Sequence, residues 1–316
     1  MATSGTYTFG SSVTKQQLIK FALIEAGVIT DFQSIDGGMW AYMHNRLNLM
    51  IKSLKTKGLH LWTLKDVTLL LEKDKTTYTL GGASSDRWSE TIVRSVMTTA
   101  RIATNTSLAA VTTGMTASDV IGVELDTGDM HWTTISSVTD AANLVLAVAL
   151  PSAVSASNVI YAYTSLAPKV TRIQEAYLIS KSSETSNTPI EIVPRSDYQR
   201  LSNKQTSSSP VEIYYRPDVL FSELKVWPRS DNNIARIVMS VEYPFDDMTA
   251  LTDTLSFPDW WHESIYLKLS HLASMGYNAT DEKIQQLETA SDRAIFDAEN
   301  FDVETTYIQI EPNVPW

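Results

Sequence analysis

The most informative part of the sequence lies in its C-terminal half and reads Val211-Glu-Ile-Tyr-Tyr-Arg-Pro217, Glu223-Leu-Lys-Val-Trp-Pro228 and Phe257-Pro-Asp-Trp-Trp-His262. Its alternating apolar and polar residues predict two strands that meet at a turn, and a third strand over residues 235–243 completes a meander. Pro258 suits the first position of a helix, where its missing N–H is not needed. We therefore expect a compact α+β unit in which a helix closes the meander.

The composition is that of a globular protein. The chain has 316 residues, of which 43% are hydrophobic and 19% charged, so it can hold two domains or one domain with a large insertion. It has no cysteine, which excludes disulfide bonds, thiolate metal sites and cysteine nucleophiles. Its longest apolar run, Leu144-Val-Leu-Ala-Val-Ala-Leu150, is far shorter than the ~20 residues that span a bilayer. We expect a protein of the cytoplasm, or of a particle built there, without membrane contact.

Acidic residues dominate the charge and are concentrated near the C-terminus. The net charge is −11, and from Asp281 to Trp316 nine acids stand against two bases, a net charge of −7. Proteins that bind nucleic acid need basic side chains to neutralise the phosphates. Sequence-specific DNA binding is therefore not expected of this acidic chain. The acids can form an ordinary solvated helix face or a surface to which passing DNA does not stick. The candidate acidic face consists of Asp281, Glu282, Glu288 and Asp292.

Helical patterns occur at both ends of the chain. Thr14-Lys-Gln-Gln17 matches a capping box, and Gly27 suits the position just after the helix that it starts. A second helix is predicted over residues 38–57, and two long amphipathic helices follow Pro258 and Thr280. Between these helical regions, residues 62–71 and 76–80 read as two strands joined by a polar turn, which predicts a hairpin.

A segment of different composition lies in the middle. No lysine occurs between Lys75 and Lys169, and the segment is rich in Ala, Thr, Ser and Val. Short strands are predicted over residues 95–102, 120–125, 130–138, 143–148 and 158–163, with a tight turn at Asp126-Thr-Gly-Asp129. Repeated short strands indicate a small antiparallel barrel or sandwich inserted into the fold.

These patterns divide the chain into three parts. Residues 1–92 hold the helical pair and the hairpin, residues 93–167 the inserted β domain, and residues 168–316 the meander, two long helices and an extended tail. The fold class is therefore α+β, with a helical core and an antiparallel meander joined to a small all-β domain. The tail carries apolar residues that no later segment covers, which predicts a partner interface at Tyr307, Ile308, Ile310, Val314 and Trp316.

The sequence shows little that points to catalysis. His262-Glu263 begins like a zinc HExxH motif, but Tyr266 stands where the second histidine is needed. Asp246 and Asp247 could imitate the carboxylate pair of a glycoside hydrolase, although adjacent side chains normally point apart. We expect no catalytic residue, no cofactor and no metal, and hence a protein that is not an enzyme.

Several of these pieces, in their order along most of the chain, resemble the head-to-tail adaptor family of short-tailed bacteriophages. The residues that carry the resemblance are Gly58-Leu-His-Leu-Trp62, the β segments at 119–134 and 158–163, Tyr214-Tyr-Arg-Pro217, Leu224-Lys-Val-Trp-Pro228 and Phe257-Pro-Asp-Trp-Trp261. The resemblance implies a helical adaptor core and a virion protein of the neck or tail, assembled in the host cytoplasm. The chain differs from smaller members of the family because it carries an insertion over residues 93–164.

What the resemblance implies about function is structural. A ring, typically dodecameric, would lie beneath the portal protein, extend the channel for passing double-stranded DNA and help to retain the packaged genome. The ring would also dock the tail nozzle or tail tube, and tail fibre proteins could bind it. Two other functions remain open, a tail-associated cell-wall hydrolase at Asp246 and Asp247, and a receptor- or glycan-binding β module over residues 93–164.

Overall fold

The computed structural model describes residues 13–55, 61–82, 85–181, 184–255 and 257–302. Within these ranges the chain is a mixed α and β protein in which most elements are strands. The helices are α1 (Lys15–Glu25), α2 (Gly37–Leu54), α3 (Arg195–Arg200), α4 (Asp259–Gly276) and α5 (Asp281–Phe301). The strands are β1 (Leu64–Leu70), β2 (Thr77–Leu80), β3 (Trp88–Ser89), β4 (Val93–Val96), β5 (Ser107–Ala109), β6 (Val120–Glu124), β7 (Met130–Asp140), β8 (Asn143–Leu146), β9 (Val159–Tyr163), β10 (Arg172–Ile179), β11 (Asn187–Pro189), β12 (Glu191–Ile192), β13 (Glu212–Arg216), β14 (Ser222–Trp227) and β15 (Arg236–Glu242).

The chain forms two compact units. A helical unit combines Met1–Trp62 with Phe245–Trp316, and a β unit is formed by Thr63–Pro244. The helical unit contains α1, α2, α4 and α5, whereas the β unit contains α3 and all fifteen strands of the described ranges. The bounds of the three-part division made from the sequence stay a prediction.

The helical unit is organised around α4. This helix packs against α1, α2 and α5, and its apolar face is fully buried at Trp261, Ile265 and Leu269. Leu23 of α1 and Leu47 of α2 are equally inaccessible and belong to the same core. Because α4 touches the three other helices described in this unit, most of the apolar burial among its described residues depends on α4.

The predicted start and end of α1 are confirmed. The Thr14 hydroxyl accepts a hydrogen bond from the Gln17 N–H at 3.3 Å, and the Gln17 side chain accepts one from the Thr14 N–H at 3.0 Å. This reciprocal pair is the capping box. Gly27 follows the helix at φ +74°, where a side chain would be strained. Pro258 is the N-cap of α4 and not its first helical residue, so that helix begins one position later than predicted.

The two chain segments of the helical unit are far apart in sequence and are joined by specific contacts. Lys15 is buried, and its ammonium group donates hydrogen bonds to the carbonyl oxygens of Met248 at 2.9 Å and Thr249 at 3.1 Å. Burial lowers the pKa of Lys15, and the charge of Asp253 partly opposes that shift. The Trp62 and Phe245 rings stack with their centroids 5.1 Å apart and their planes 6° from parallel. The chain therefore leaves and re-enters the helical unit at two residues that touch.

Two sheets of the β unit pack face to face as a sandwich. One has the strand order β11-β10-β15-β1-β3 and the other β12-β13-β14-β2. Val67, Trp88 and Ile237 of the first sheet and Tyr78 and Leu224 of the second share one buried core. In β2 and β14 every second residue is buried in this core, as expected of packed antiparallel sheets.

The structure corrects two predictions about strand pairing and one about the C-terminal unit. The strands over 62–71 and 76–80 do not form a hairpin, because β1 pairs with β15 and β3 whereas β2 pairs with β14. The meander is wrong at its third strand, since β13 and β14 pair but β15 lies between β10 and β1. The compact C-terminal α+β unit is also wrong, since these strands belong to the β unit and α4 to the helical unit. The reason lies in β15, whose almost continuous burial suits a central strand with neighbours on both edges.

The third sheet lies within residues 93–163, inside the predicted insertion. Its order is β4-β9-β6-β7-β8-β5, and it curls into a half-barrel around Leu108, Ile121, Leu144 and Ile160. Past the ends of its edge strands, Met97 bridges to Ala110, so the two edges approach each other. The predicted turn is confirmed at Gly128, which has φ +86°. Strand β5 was missed because its three residues are too short for a visible alternation.

Two neighbouring tryptophans of α4, Trp260 and Trp261, differ in burial, and a first prediction concerns their effect on stability. Trp261 is fully buried whereas Trp260 is 44% exposed. Trp261→Ala should lower the free energy of unfolding by roughly 3–5 kcal/mol, because it leaves a cavity in the core around α4. Trp260→Ala is the matched control. It should lower the free energy of unfolding by no more than about 1.5 kcal/mol, which is the contribution of one aromatic contact. Urea denaturation measures both values, and equal losses in the two variants would show that α4 is not the centre of the core.

Candidate assembly surfaces

The zinc-like motif is used for packing. The Tyr266 hydroxyl, at the position of the missing histidine, donates a hydrogen bond to the Glu25 carboxylate at 3.3 Å. His262 lies on the same helix with its Nδ1 3.9 Å from Asp259. In the part of the chain that the structure describes, no group of three or more His, Asp or Glu side chains could hold a metal ion. Tyr266 and Glu25 therefore link α4 to α1.

The carboxylates considered for hydrolysis lie on the surface. Asp246 and Asp247 are both exposed, and Asp247 forms an ion pair with Lys52 of α2 at 3.0 Å. This pairing gives Asp247 a structural contact within the helical unit. An exposed pair of this kind adds little to stability, on the order of 0–1 kcal/mol.

All four residues of the predicted acidic face are exposed on α5. Asp281, Glu288 and Asp292 are spaced by seven and four residues and so share one side of the helix, while Glu282 lies about 100° around it. Six acids and two bases over Asp281–Phe301 give α5 a net charge of −4. Asp292 is partly neutralised, because the Lys268 ammonium group lies 3.0 Å from its carboxylate. Asp292, one of the four residues of the acidic face, therefore forms an ion pair that links α5 to α4.

A histidine is buried beside this ion pair. His271 of α4 is 5% exposed, and burial lowers its pKa, as does the nearby charge of Lys268. Glu288 and Asp292 act in the opposite direction but do not overcome these effects. Its surroundings therefore favour the neutral form of the His271 side chain.

An apolar loop between β13 and β14 was not recognised from the sequence. This hairpin tip, residues 217–221, exposes Val219 by 86%, Leu220 by 79% and Phe221 by 48%. Turns between strands normally consist of Gly, Pro, Asn, Asp and Ser, so three consecutive apolar residues at a turn are unusual. That violation was the signal available in the sequence. The turn itself was predicted between the two strands, but the apolar character of residues 219–221 was not used.

The hairpin tip is held in place from below. The Lys169 ammonium group donates hydrogen bonds to the carbonyl oxygens of Asp218 and, at 3.2 Å, Val219. At the base of the hairpin the Tyr215 hydroxyl donates to the Val170 carbonyl oxygen at 2.7 Å. The backbone of the tip is thus tied to residues 169–170 while its apolar side chains face outward. Such an exposed cluster is typical of a protein-binding surface.

A groove runs between α4 and α5 and encloses about 980 Å³. Trp260 and Phe301 form one end of this α4/α5 groove, with their ring centroids 5.0 Å apart. Along it lie small or apolar residues and a few charged ones, among them Leu267, Ala290, Ala294, Arg293 and Asp297. The groove is large enough for a peptide or several side chains.

The predicted tail interface falls outside the described residues. This applies to Tyr307, Ile308, Ile310, Val314 and Trp316, so their interface role stays a prediction. The described residues present the acidic face, which the sequence predicted, and the hairpin tip and the α4/α5 groove, which it did not.

Comparison with known proteins assigns the chain to no family. No protein-family model matches it, and no curated protein matches it. Among the described helices, none has the length and apolar character to cross a bilayer.

A second prediction concerns pH. The unfolded chain binds a proton at His271 near pH 6.5, whereas the folded chain resists it until a lower pH. Stability is therefore lost as the pH falls from about 6.5 through the folded pKa. His271→Gln lacks this contribution, so the difference in unfolding free energy between parent and variant should be constant above about pH 7.5 and change below pH 6.5. Denaturant titrations from pH 8 to pH 5 measure it, and parallel curves would contradict it.

Proposed function

We propose that this chain is a structural head-to-tail adaptor of a short-tailed bacteriophage. In this proposal it forms a ring, typically dodecameric, beneath the portal protein, and the ring extends the DNA channel, retains the packaged genome and docks the tail. The helical unit is the adaptor core, and the half-barrel is an outer domain available to the tail nozzle or tail fibres. The chain acts by assembly and not by catalysis.

The observation that carries the proposal is the charge of α5. A 21-residue helix with a net charge of −4 exposes all four residues of its acidic face. A channel lined by such helices repels phosphates, so DNA slides through without being bound. The same acids on an isolated globular protein would have only a solubilising effect, so the ring gives them a specific use.

The apolar surfaces support ring formation. The hairpin tip projects apolar side chains, whereas the α4/α5 groove is concave, so the chain carries two different apolar surfaces. Contacts between unlike surfaces of identical copies are heterologous, and they close into rings when the rotation between copies allows it. Self-complementary dimers would need no such pair of surfaces.

The direct experiment mixes the purified chain with the portal protein of the same phage. Negative-stain images should show rings, and mass photometry should show a single copy number. The rings should co-sediment with the portal protein. A chain that stays monomeric at micromolar concentration and does not co-sediment with the portal would contradict the proposal.

A third prediction tests the hairpin tip. Val219→Ser with Leu220→Ser should reduce ring formation at least tenfold, because it removes exposed apolar area at the proposed contact. The unfolding free energy should change by no more than about 0.5 kcal/mol, as is usual for surface substitutions. The matched control is Val111→Ser with Val148→Ser, which are 55% and 57% exposed and belong to the half-barrel segment. If both double variants form rings equally well, the tip is not an assembly surface.

A further inference from the structure

The α4/α5 groove has aromatic walls at the end where α5 stops. Phe301, the last residue of α5, is 68% exposed, and its ring contacts that of Trp260 from α4. Away from these rings the groove is lined by Ala290, Ala294 and Ala298 of α5, whose short side chains leave space beside the helix. The described residues leave this apolar channel open to solvent.

The chain that follows α5 starts at this same end. Residues 303–316, called the tail, come directly after Asp302, the C-cap of α5. The groove extends back along α5 to Glu282, and the intervening nineteen positions correspond to about 28 Å of helix. Fourteen extended residues reach roughly 46 Å. The tail is therefore long enough to reverse direction and cover the whole groove.

The chemistry of the tail suits the groove. Ile308 and Ile310 alternate with the polar residues Gln309 and Glu311, so an extended segment here can bury both isoleucines on one side. The tail's two charged side chains, Glu304 and Glu311, are both acidic, whereas the groove lining carries one exposed base, Arg293, beside the acids Glu263, Glu282 and Asp297. A tail carboxylate is repelled by these three acids and can pair only with the Arg293 guanidinium group, which favours one position of the tail in the groove.

We propose that the α4/α5 groove is a peptide-binding site that holds the tail of its own chain before assembly. A segment tethered beside its site has an effective concentration in the millimolar range. The tail of the same chain therefore occupies the groove in preference to the tails of other copies. The apolar side chains of the tail are then covered until a portal or neighbouring subunit takes them. Only this release on assembly rests on the proposed adaptor function, since the docking itself concerns the single chain.

The test uses the full chain and a fluorescent peptide of residues 303–316. In the tail variant, Ile308, Ile310 and Trp316 are all replaced by Asp, so that its own tail no longer occupies the groove. Fluorescence anisotropy without portal should show that the peptide binds the tail variant at least tenfold more tightly than the parent chain. Adding Phe301→Ser to the tail variant should weaken binding about tenfold, whereas Phe296→Ser, on the same helix but outside the groove lining, should not.

Three results would overturn the inference. These are equal peptide binding by parent and tail variant, no binding by either, or a parent that sediments as a dimer which the tail variant does not form. The last result would show exchange of tails between copies. Because the assay contains no portal, it can succeed when rings fail to form, or fail when they form.

Discussion

The helical unit depends on closing a core from two parts of the chain that lie on either side of the β unit. α1 and α2 alone cannot bury Leu23 and Leu47, since the facing surface comes from α4 near the other end of the sequence. The return is secured by the stacking of Trp62 on Phe245 and by buried Lys15, which binds two backbone carbonyl groups beyond the return point. A buried ammonium group is costly unless it is hydrogen-bonded, so this contact specifies where the returning chain must lie.

This closure explains where the candidate surfaces can be. Once α4 fills the centre of the unit, α5 packs on it with one side, which leaves the acidic face and one flank of the α4/α5 groove exposed. The β unit is a separate compact unit with its own cores, and the hairpin tip belongs to it. Separate bodies with unlike surfaces are well suited to an assembly protein.

Local features were predictable from the sequence, whereas long-range pairing was not. The caps at Thr14 and Gly27 and the turn at Gly128 follow from neighbouring residues, and the structure confirms them. Strand β1 pairs with β15, which lies far along the chain. The residue pattern of neither strand predicts which strand is its partner. The same holds at the candidate site. The acids of α5 could be chosen from sequence, but the ion pair of Asp292 with Lys268 and the exposure of the hairpin tip arise only from tertiary packing.

The central proposal is that α5 faces a DNA channel in an assembled ring. The most direct measurement is a cryo-electron microscopy map of the chain bound to its portal, at a resolution that places side chains. We predict a closed ring in which Asp281, Glu288 and their symmetry copies line the central opening. A ring whose opening is lined by another element, with α5 buried between subunits or turned to the outer surface, would contradict the account.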